Sequence, residues 1–339
     1  MAPLRASPDI RPRMLGLRLA LLALVATGSA AAAGEPGGSG APSAAPAAAA
    51  PERIVSLNPS LTATLLAIGA GPRLVGVDDF SARQQSAVAE LPRVGGLFDP
   101  SLERLVALRP DLVVLVPSAA QRDFRSRLRE LEIPVLALDP LGFEEVLETI
   151  RVLGAHTGHE AEARARVDAI RRTRRRVEAV TEDRLAPRVV LVVQREPLYV
   201  VGRGSFVDEM LRAVGAENVG AELGEPYPRV SREWLLAAAP DVLLDSSGDP
   251  EPAARYWARW SSLPAVGEGR VVALARGRVT LPGPWLDRAL RVLLEAVHGS
   301  EATKALAAAD PAAAPSASLP RPAARPAEGS GARPGPASP

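Results

Sequence analysis

Residue types that could carry out chemistry are scarce in this chain. Its 339 residues include three histidines, His156, His159 and His298, and no cysteine. A hydrolytic triad needs a nucleophile beside a histidine base. None of the three stands near a strand-to-helix nucleophile turn, and no G-x-S-x-G occurs. Gly202-Arg203-Gly204-Ser205 is a glycine turn without the Gly-Lys-Ser/Thr ending of a phosphate loop. In His156-Thr157-Gly158-His159 two histidines three apart could share a metal, but Gly158 breaks the helix between them and no third ligand cluster follows. They read as helix-end histidines, whose cationic form suits a C-terminus. The absence of cysteine removes thiolate metal sites, disulfides and a lipid-bearing cysteine behind an export signal. Neither catalysis nor an intrinsic cofactor is expected.

What remains are acids at repeated places. Ser101-Leu102-Glu103, followed by Pro110-Asp111-Leu112-Val113, recurs as Ser231-Arg232-Glu233 followed by Pro240-Asp241-Val242-Leu243, offset by 130 residues throughout. Each serine can cap a helix, each glutamate falls in its first turn, and each Pro-Asp leads into an apolar strand. An acid there interacts favourably with the helix macrodipole by ~0.3–1 kcal/mol.

The elements around these residues alternate. Strands are predicted at Ile54–Leu57, Leu74–Val77, Leu112–Val116 and Val135–Leu138, with helices over Leu61–Ile68, Leu102–Leu108 and Phe143–Gly154. A wholly apolar strand is one buried on both faces, as in a parallel sheet. The plan restarts at the strand Arg188–Val193 and the helix Val207–Val214, ended by Gly215. Between the halves, Glu160–Arg184 is the most charged stretch and has no Gly or Pro. Val167, Ile170, Val177 and Val180 recur at near-helical spacing, so one helix of about 25 residues spanning ~37 Å is expected. Its Arg171-Arg172 and Arg174-Arg175-Arg176 cluster reads as a solvated face balanced by Glu160, Glu162, Glu178 and Glu182. The fold class is therefore α/β, two Rossmann-like lobes joined by a single long α-helix.

The ends read differently. Residues 1–33 have a basic head, a short apolar run and small residues, the pattern of a secretory signal peptide beginning at Met1 or Met14. At 15 residues, Leu19–Ala33 is shorter than the roughly 20 a membrane span needs. Residues 34–52 are an Ala/Pro-rich linker expected to be disordered, and 300–339 a disordered tail. Residues 53–158 are assigned to an N-terminal lobe, 159–185 to the connecting helix and 186–299 to a C-terminal lobe. Export without a lipid anchor favours the periplasm, and a net charge of +1 gives no reason to expect nucleic acid.

Five segments, in order, resemble the periplasmic binding proteins for cobalamin, ferric siderophores and haem. They are Arg53-Ile54-Val55-Ser56-Leu57 with Pro59-Ser60 and Thr62; Leu74-Val75-Gly76-Val77; Leu91-Pro92-Arg93-Val94-Gly95; Leu102-Glu103-Arg104 with Pro110-Asp111-Leu112-Val113; and Val230-Ser231-Arg232-Glu233. Tyr227-Pro228-Arg229 before the last brings the chain nearest the cobalamin branch. The resemblance covers about Arg53–Gly299. It implies a monomeric substrate-binding protein of an ABC importer, whose ligand is a corrinoid first, with a ferric siderophore or haem as alternatives. The ligand itself would then contain cobalt or iron. The implied partners are a permease and an ATPase, with Glu103 and Glu233 corresponding to the family's docking glutamates. By position, Phe80 and Phe98 fall near the N-lobe rim and Tyr199, Tyr227 and Trp285 near the C-lobe rim. Trp234, Trp257 and Trp260 are assigned to core packing. After Thr62 the family often carries an acid where Ala63 and Thr64 stand here, and cleft tryptophans are missing, which leaves the ligand open. A sensor or assembly protein on the same scaffold is the reading from another class.

Overall fold

Ile54-Val55-Ser56 is buried along its whole length and pairs on both sides, which makes it a central strand. A computed structural model describes residues 50–249 and 251–309. The expected signal segment, most of the linker and the chain beyond 309 lie outside the described residues. Strands β1 (Ile54–Ser56), β2 (Leu74–Val77), β3 (Leu112–Leu115) and β4 (Val135–Ala137) form a parallel sheet in the order β2-β1-β3-β4. The second sheet contains β5 (Arg188–Gln194), β6 (Tyr199–Val200), β7 (Glu217–Asn218), β8 (Val242–Asp245) and β9 (Val271–Ala273). Its order is β6-β5-β8-β9, with β7 also on β5; only β6 runs antiparallel. Every residue of β3 and β8 is buried, as a strand covered by helices on both faces requires.

Helices α1 (Pro59–Ala67), α2 (Asp79–Gln84), α3 (Leu102–Ala107), α4 (Arg122–Glu130) and α5 (Phe143–Thr157) interleave with or follow the first sheet's strands. The connecting helix α6 (Glu160–Thr181) comes next. Then come α7 (Phe206–Ala213), α8 (Arg232–Ala238), α9 (Ala253–Trp257), α10 (Pro264–Gly267), α11 (Leu286–His298) and α12 (Ser300–Ala308). Among the described residues no helix is long and apolar enough to cross a membrane.

The repeat seen in the sequence is a repeat of geometry. Ser101 Oγ accepts from the Arg104 N–H at 3.3 Å, and Ser231 Oγ from the Trp234 N–H at 3.1 Å. Asp111 accepts from the Arg53 N–H at 2.9 Å, and Asp241 from the Arg188 N–H at 2.8 Å. The Arg53 guanidinium reaches the Leu108 carbonyl at 2.7 Å, and that of Arg188 the Ala238 carbonyl at 3.0 Å. Between helix and strand, Arg109 (φ 47°) and Ala239 (φ 43°) both adopt the left-handed conformation. That conformation costs a residue with a Cβ roughly 1–2 kcal/mol, and the same tight turn imposes it in both halves.

Helix α6 buries Ala163, Val167, Ile170, Thr173, Val177 and Thr181, a face recurring every three or four residues. It has 22 residues and stops at Thr181, short of the expected 185. The Thr181 hydroxyl turns back onto the Val177 carbonyl at 3.0 Å, and the Arg184 N–H bonds the Thr181 carbonyl as the chain leaves the helix. Its arginine cluster is more than a solvated face. Arg174 lies 4.6 Å over the Phe143 ring, bonds Glu178 at 2.9 Å and approaches Glu209 at 3.9 Å. One continuous apolar core takes in Leu65 and Val114 from the first lobe, Ile170 of α6, and Leu244 and Leu290 from the second.

The tail assignment needs correction at its start. Residues 300–308 form α12, with Ala302 and Leu306 fully buried in that same core. Two apolar contacts against α6 and α11 suffice to order an alanine-rich segment whose helix propensity is already high.

Candidate functional site

In open parallel sheets, ligands collect outside the carboxyl ends of the strands. A hollow of about 270 Å³ lies between the lobes at those ends. Asn58 and Pro59 after β1, Phe80 after β2 and Val116 after β3 wall one side, and Leu281 and Pro282 after β9 wall the other. The lobes nearly touch there: a Cβ built on Gly283 would stand 3.6 Å from the Ser60 carbonyl oxygen. A larger concavity, about 1140 Å³, lies at the opposite end of the second sheet, beside Pro187, Asp241 and Arg270. It is a broad depression under one lobe at the amino ends of the strands. The carboxyl-end cleft is therefore the candidate site.

Short polar side chains fix the first wall. Asn58 Oδ1 caps α1, accepting from the Ser60 N–H at 2.9 Å and its hydroxyl at 2.7 Å. Asp78, fully buried, caps α2 by accepting from the Phe80 and Ser81 N–H groups at 2.8 and 3.0 Å and from the Ser81 hydroxyl. Ser81 continues to Thr62 at 2.9 Å and Thr62 to Ser56 at 2.8 Å, tying α2 and α1 to β1. Phe80 is thus carried on a braced helix, with Arg83 stacked 4.6 Å from its ring.

Burial pushes the Asp78 carboxyl above the usual carboxylate range, against the lowering effect of its Ser81 and Phe80 hydrogen bonds. A carboxyl raised on folding binds its proton more tightly in the native state, so stability falls as pH climbs from the ordinary value through the folded one. Asp78→Asn keeps an oxygen for both N–H groups and removes the titration. The melting temperature of the variant relative to the parent is expected to rise between about pH 3 and pH 7. A difference that stays flat over that range would show that Asp78 titrates alike in both states.

The second wall is held by an arginine that the sequence reading missed. Arg166 of α6 donates from Nε to the Pro284 carbonyl, pairs with Asp287, and lies 5.1 Å from the Trp285 ring, which Arg288 covers from 4.2 Å. Burial lowers the pKa of Arg166, opposed by the Asp287 carboxylate. The only sequence signal was its place in a charged helix, which does not say which arginine turns inward.

Two backbone N–H groups tie the lobes together beside the cleft. Phe206 N–H donates to the Leu141 carbonyl at 2.7 Å, and Phe143 N–H to Glu209 Oε1 at 2.8 Å. Arg174 contacts both Phe143 and Glu209. With the shared core beneath, these contacts resist a wide hinge motion.

Of the five aromatics assigned to the rims, Phe80 lines the hollow. Phe98, 67% exposed, follows Leu97, which also lines it. Trp285, 37% exposed, comes three residues after Pro282. Tyr199, half-buried on β6, and Tyr227, in the loop before α8, are not in its wall. Tyr227 is 36% exposed as a residue, with its phenol on the Ser205 side. Burial pushes that phenol up to about 12, so it stays protonated. Asn58, Leu281 and Pro282 were not anticipated as cleft residues, although Asn58-Pro59 was already legible as a turn. Trp257 is buried, and Trp234 and Trp260 pack partly buried against the same cluster, as core residues should. The histidines bond separately: His156 to the Val152 carbonyl at 2.9 Å, His159 to the Thr157 hydroxyl at 3.2 Å, and His298 to the Val214 carbonyl at 2.7 Å.

Glu103 and Glu233 are both solvent-exposed, in the first turns of α3 and α8. The Glu233 carboxyl is held below its ordinary range by its own backbone N–H and by the Ser231 hydroxyl.

Comparison with known proteins follows this architecture. A family model described as periplasmic binding protein matches residues 54–276. The vitamin B12-binding protein of Salmonella typhimurium is 29% identical over 216 residues, covering 63% of this chain and 80% of that protein. That of Vibrio parahaemolyticus is 26% identical over 254 residues, covering 75% and 90%. Among solved structures, the periplasmic vitamin B12 binding protein of Vibrio cholerae superposes with a TM-score of 0.60 at 26% identity, covering 77% of this chain and 98% of that one. A periplasmic heme binding protein from Pseudomonas aeruginosa gives 0.61 at 28% identity, covering 74% and 94%.

Proposed function

The chain belongs to the periplasmic binding protein family, and from that premise we propose that it captures cobalamin between its lobes and delivers it to a membrane permease. It is a binding protein of the ABC-importer type and not an enzyme. The observation that carries the ligand reading is a preformed cleft walled by carboxyl-end loops of two sheets, with the Phe80 ring in its wall and exposed Phe98 and Trp285 one and three residues along the chain from wall residues Leu97 and Pro282. Such rings offer large contact area at low entropic cost, which suits a wide, flat ligand. A hollow of about 270 Å³ takes only part of such a ligand, so Tyr199 and Tyr227 are proposed to meet the remainder along the C-lobe rim. The names of the vitamin B12-binding relatives support the corrinoid choice. The heme binding protein of P. aeruginosa, as similar in sequence and fold, favours haem as the second reading.

A ligand that binds only the folded state stabilises it by ~2.7 kcal/mol at one hundred times its Kd. Thermal unfolding of the mature protein with cyanocobalamin, haemin or a ferric siderophore is expected to give a saturable upward shift with cyanocobalamin. A shift with haemin alone would replace the first reading by the second, and no shift with any of the three would overturn both.

In the importer, the loaded protein is proposed to present Glu103 and Glu233, one from each lobe, to the permease.

A further inference from the structure

Among the described residues nine large apolar side chains are exposed. Two of them, Val106 at 39% and Leu236 at 38%, stand on α3 and α8 at the same offset of 130 residues that relates Glu103 to Glu233. Single exposed aliphatic residues are ordinary and need no explanation. A matched pair is different, because each lies three positions after its glutamate and so shares that glutamate's helix face. The inward face is filled by Leu105 and Leu235, 0% and 2% exposed, while Leu236 edges a small hollow beside Trp257 and Trp260 and still leaves 38% of its surface in solvent. The turns that end the two helices are also alike, down to the left-handed Arg109 and Ala239. Each lobe thus offers one acid and one aliphatic group in the same local frame.

We propose that each lobe docks through this pair, Glu103 with Val106 and Glu233 with Leu236. The partner is a membrane subunit present in two copies, each offering a cationic side chain beside an apolar contact. This rests on the docking reading above and adds the residues that give the contact its strength. An exposed ion pair on its own contributes little, because water screens it. An aliphatic side chain closing over it excludes water, gains from its own burial, and lowers the local dielectric in which the charges meet. Charge complementarity sets the sign of the partner group. Two equal patches on two lobes match two copies of one subunit, as the symmetry of an oligomeric partner implies.

The test measures uptake, in source cells whose own copy of the gene is replaced, of whichever of cyanocobalamin, haemin or the ferric siderophore stabilises the purified protein. Val106→Ser with Leu236→Ser is expected to lower uptake at least tenfold while the ligand-induced melting shift is retained. Val106→Leu with Leu236→Val, which keeps both sites apolar, is expected to restore it. Each single serine variant, checked for the same melting shift, guards against a fold defect in the double variant and is expected to lose part of the uptake. Full uptake in the serine variants, in cells where Glu103→Ala with Glu233→Ala abolishes it, would overturn this inference alone. Uptake surviving in both double variants would remove the docking reading beneath it.

Discussion

Glu103→Ala combined with Glu233→Ala is expected to abolish uptake while the ligand-induced melting shift keeps its full size. The separation follows from position. Both carboxylates are exposed on first helical turns, and neither is among the residues that wall the interlobe hollow. Their loss removes only a solvent-screened interaction with each helix macrodipole, which a fold braced by a core common to both lobes tolerates. Ser101 and Ser231 continue to cap α3 and α8. In the proposed docking both lobes engage together, so that losing either contact would remove the gain in effective concentration from the other. Each single alanine variant is therefore expected to lose most of the uptake as well. Uptake at the parental rate in the double variant would show that the two acids serve only their helices. A lost melting shift would show instead that they belong to the cleft.

How much of this was legible in the sequence depends on the kind of residue involved. The strands were readable because β3 and β8 are buried on both faces and consist of uninterrupted apolar residues. The repeat was readable because Ser, Glu, Pro and Asp each have a positional job at a helix start or strand entry. The left-handed turn at Arg109 and Ala239 was not, because neither residue is the glycine or asparagine that marks such a turn. Helix α12 is hard to tell from tail because alanine is common both in helices and in low-complexity segments, and only Ala302 and Leu306 separate the two. The cleft was legible in part. Phe80 is expected near the N-lobe rim from the family resemblance, but aromatic type alone does not distinguish a ring that meets a ligand from one stacked in a core. Trp257, buried between Tyr256 at 4.9 Å and Trp260 at 5.2 Å, belongs to the same class of residue as exposed Trp285. Nor does periodicity reveal that Arg166, in a helix whose charges are mostly exposed, anchors the far wall.

The largest expected stability effect comes from another inward arginine, Arg195, just after β5. Only 6% exposed, it donates to Asp245 at 2.9 Å and to the Glu251 carbonyl at 2.8 Å, and it stacks 4.5 Å from the Tyr256 ring. Asp245, 2% exposed at the end of β8, also accepts from Trp257 Nε1 at 2.6 Å and from the Ser247 N–H and hydroxyl at 3.0 and 2.7 Å. One carboxylate therefore satisfies four donors on three segments of the C-terminal lobe. Removing one partner of a buried ion pair leaves the other charge desolvated and unpaired, at about 3–5 kcal/mol. Asp245→Ala is accordingly expected to destabilise the protein by about that amount, read as a lower urea midpoint at unchanged slope. Asp249, 3.5 Å from Arg195 and more exposed, can recover only part of the loss. Asp245→Asn retains a carbonyl acceptor for Trp257 and is expected to cost less than alanine. Adding Arg195→Met to Asp245→Ala should recover stability relative to Asp245→Ala alone, because the stranded charge is gone even though the Trp257 and Ser247 donors remain unpaired. A double variant less stable than Asp245→Ala would show that the guanidinium stabilises this lobe through its stacking on Tyr256 and its bond to Glu251 rather than through the carboxylate.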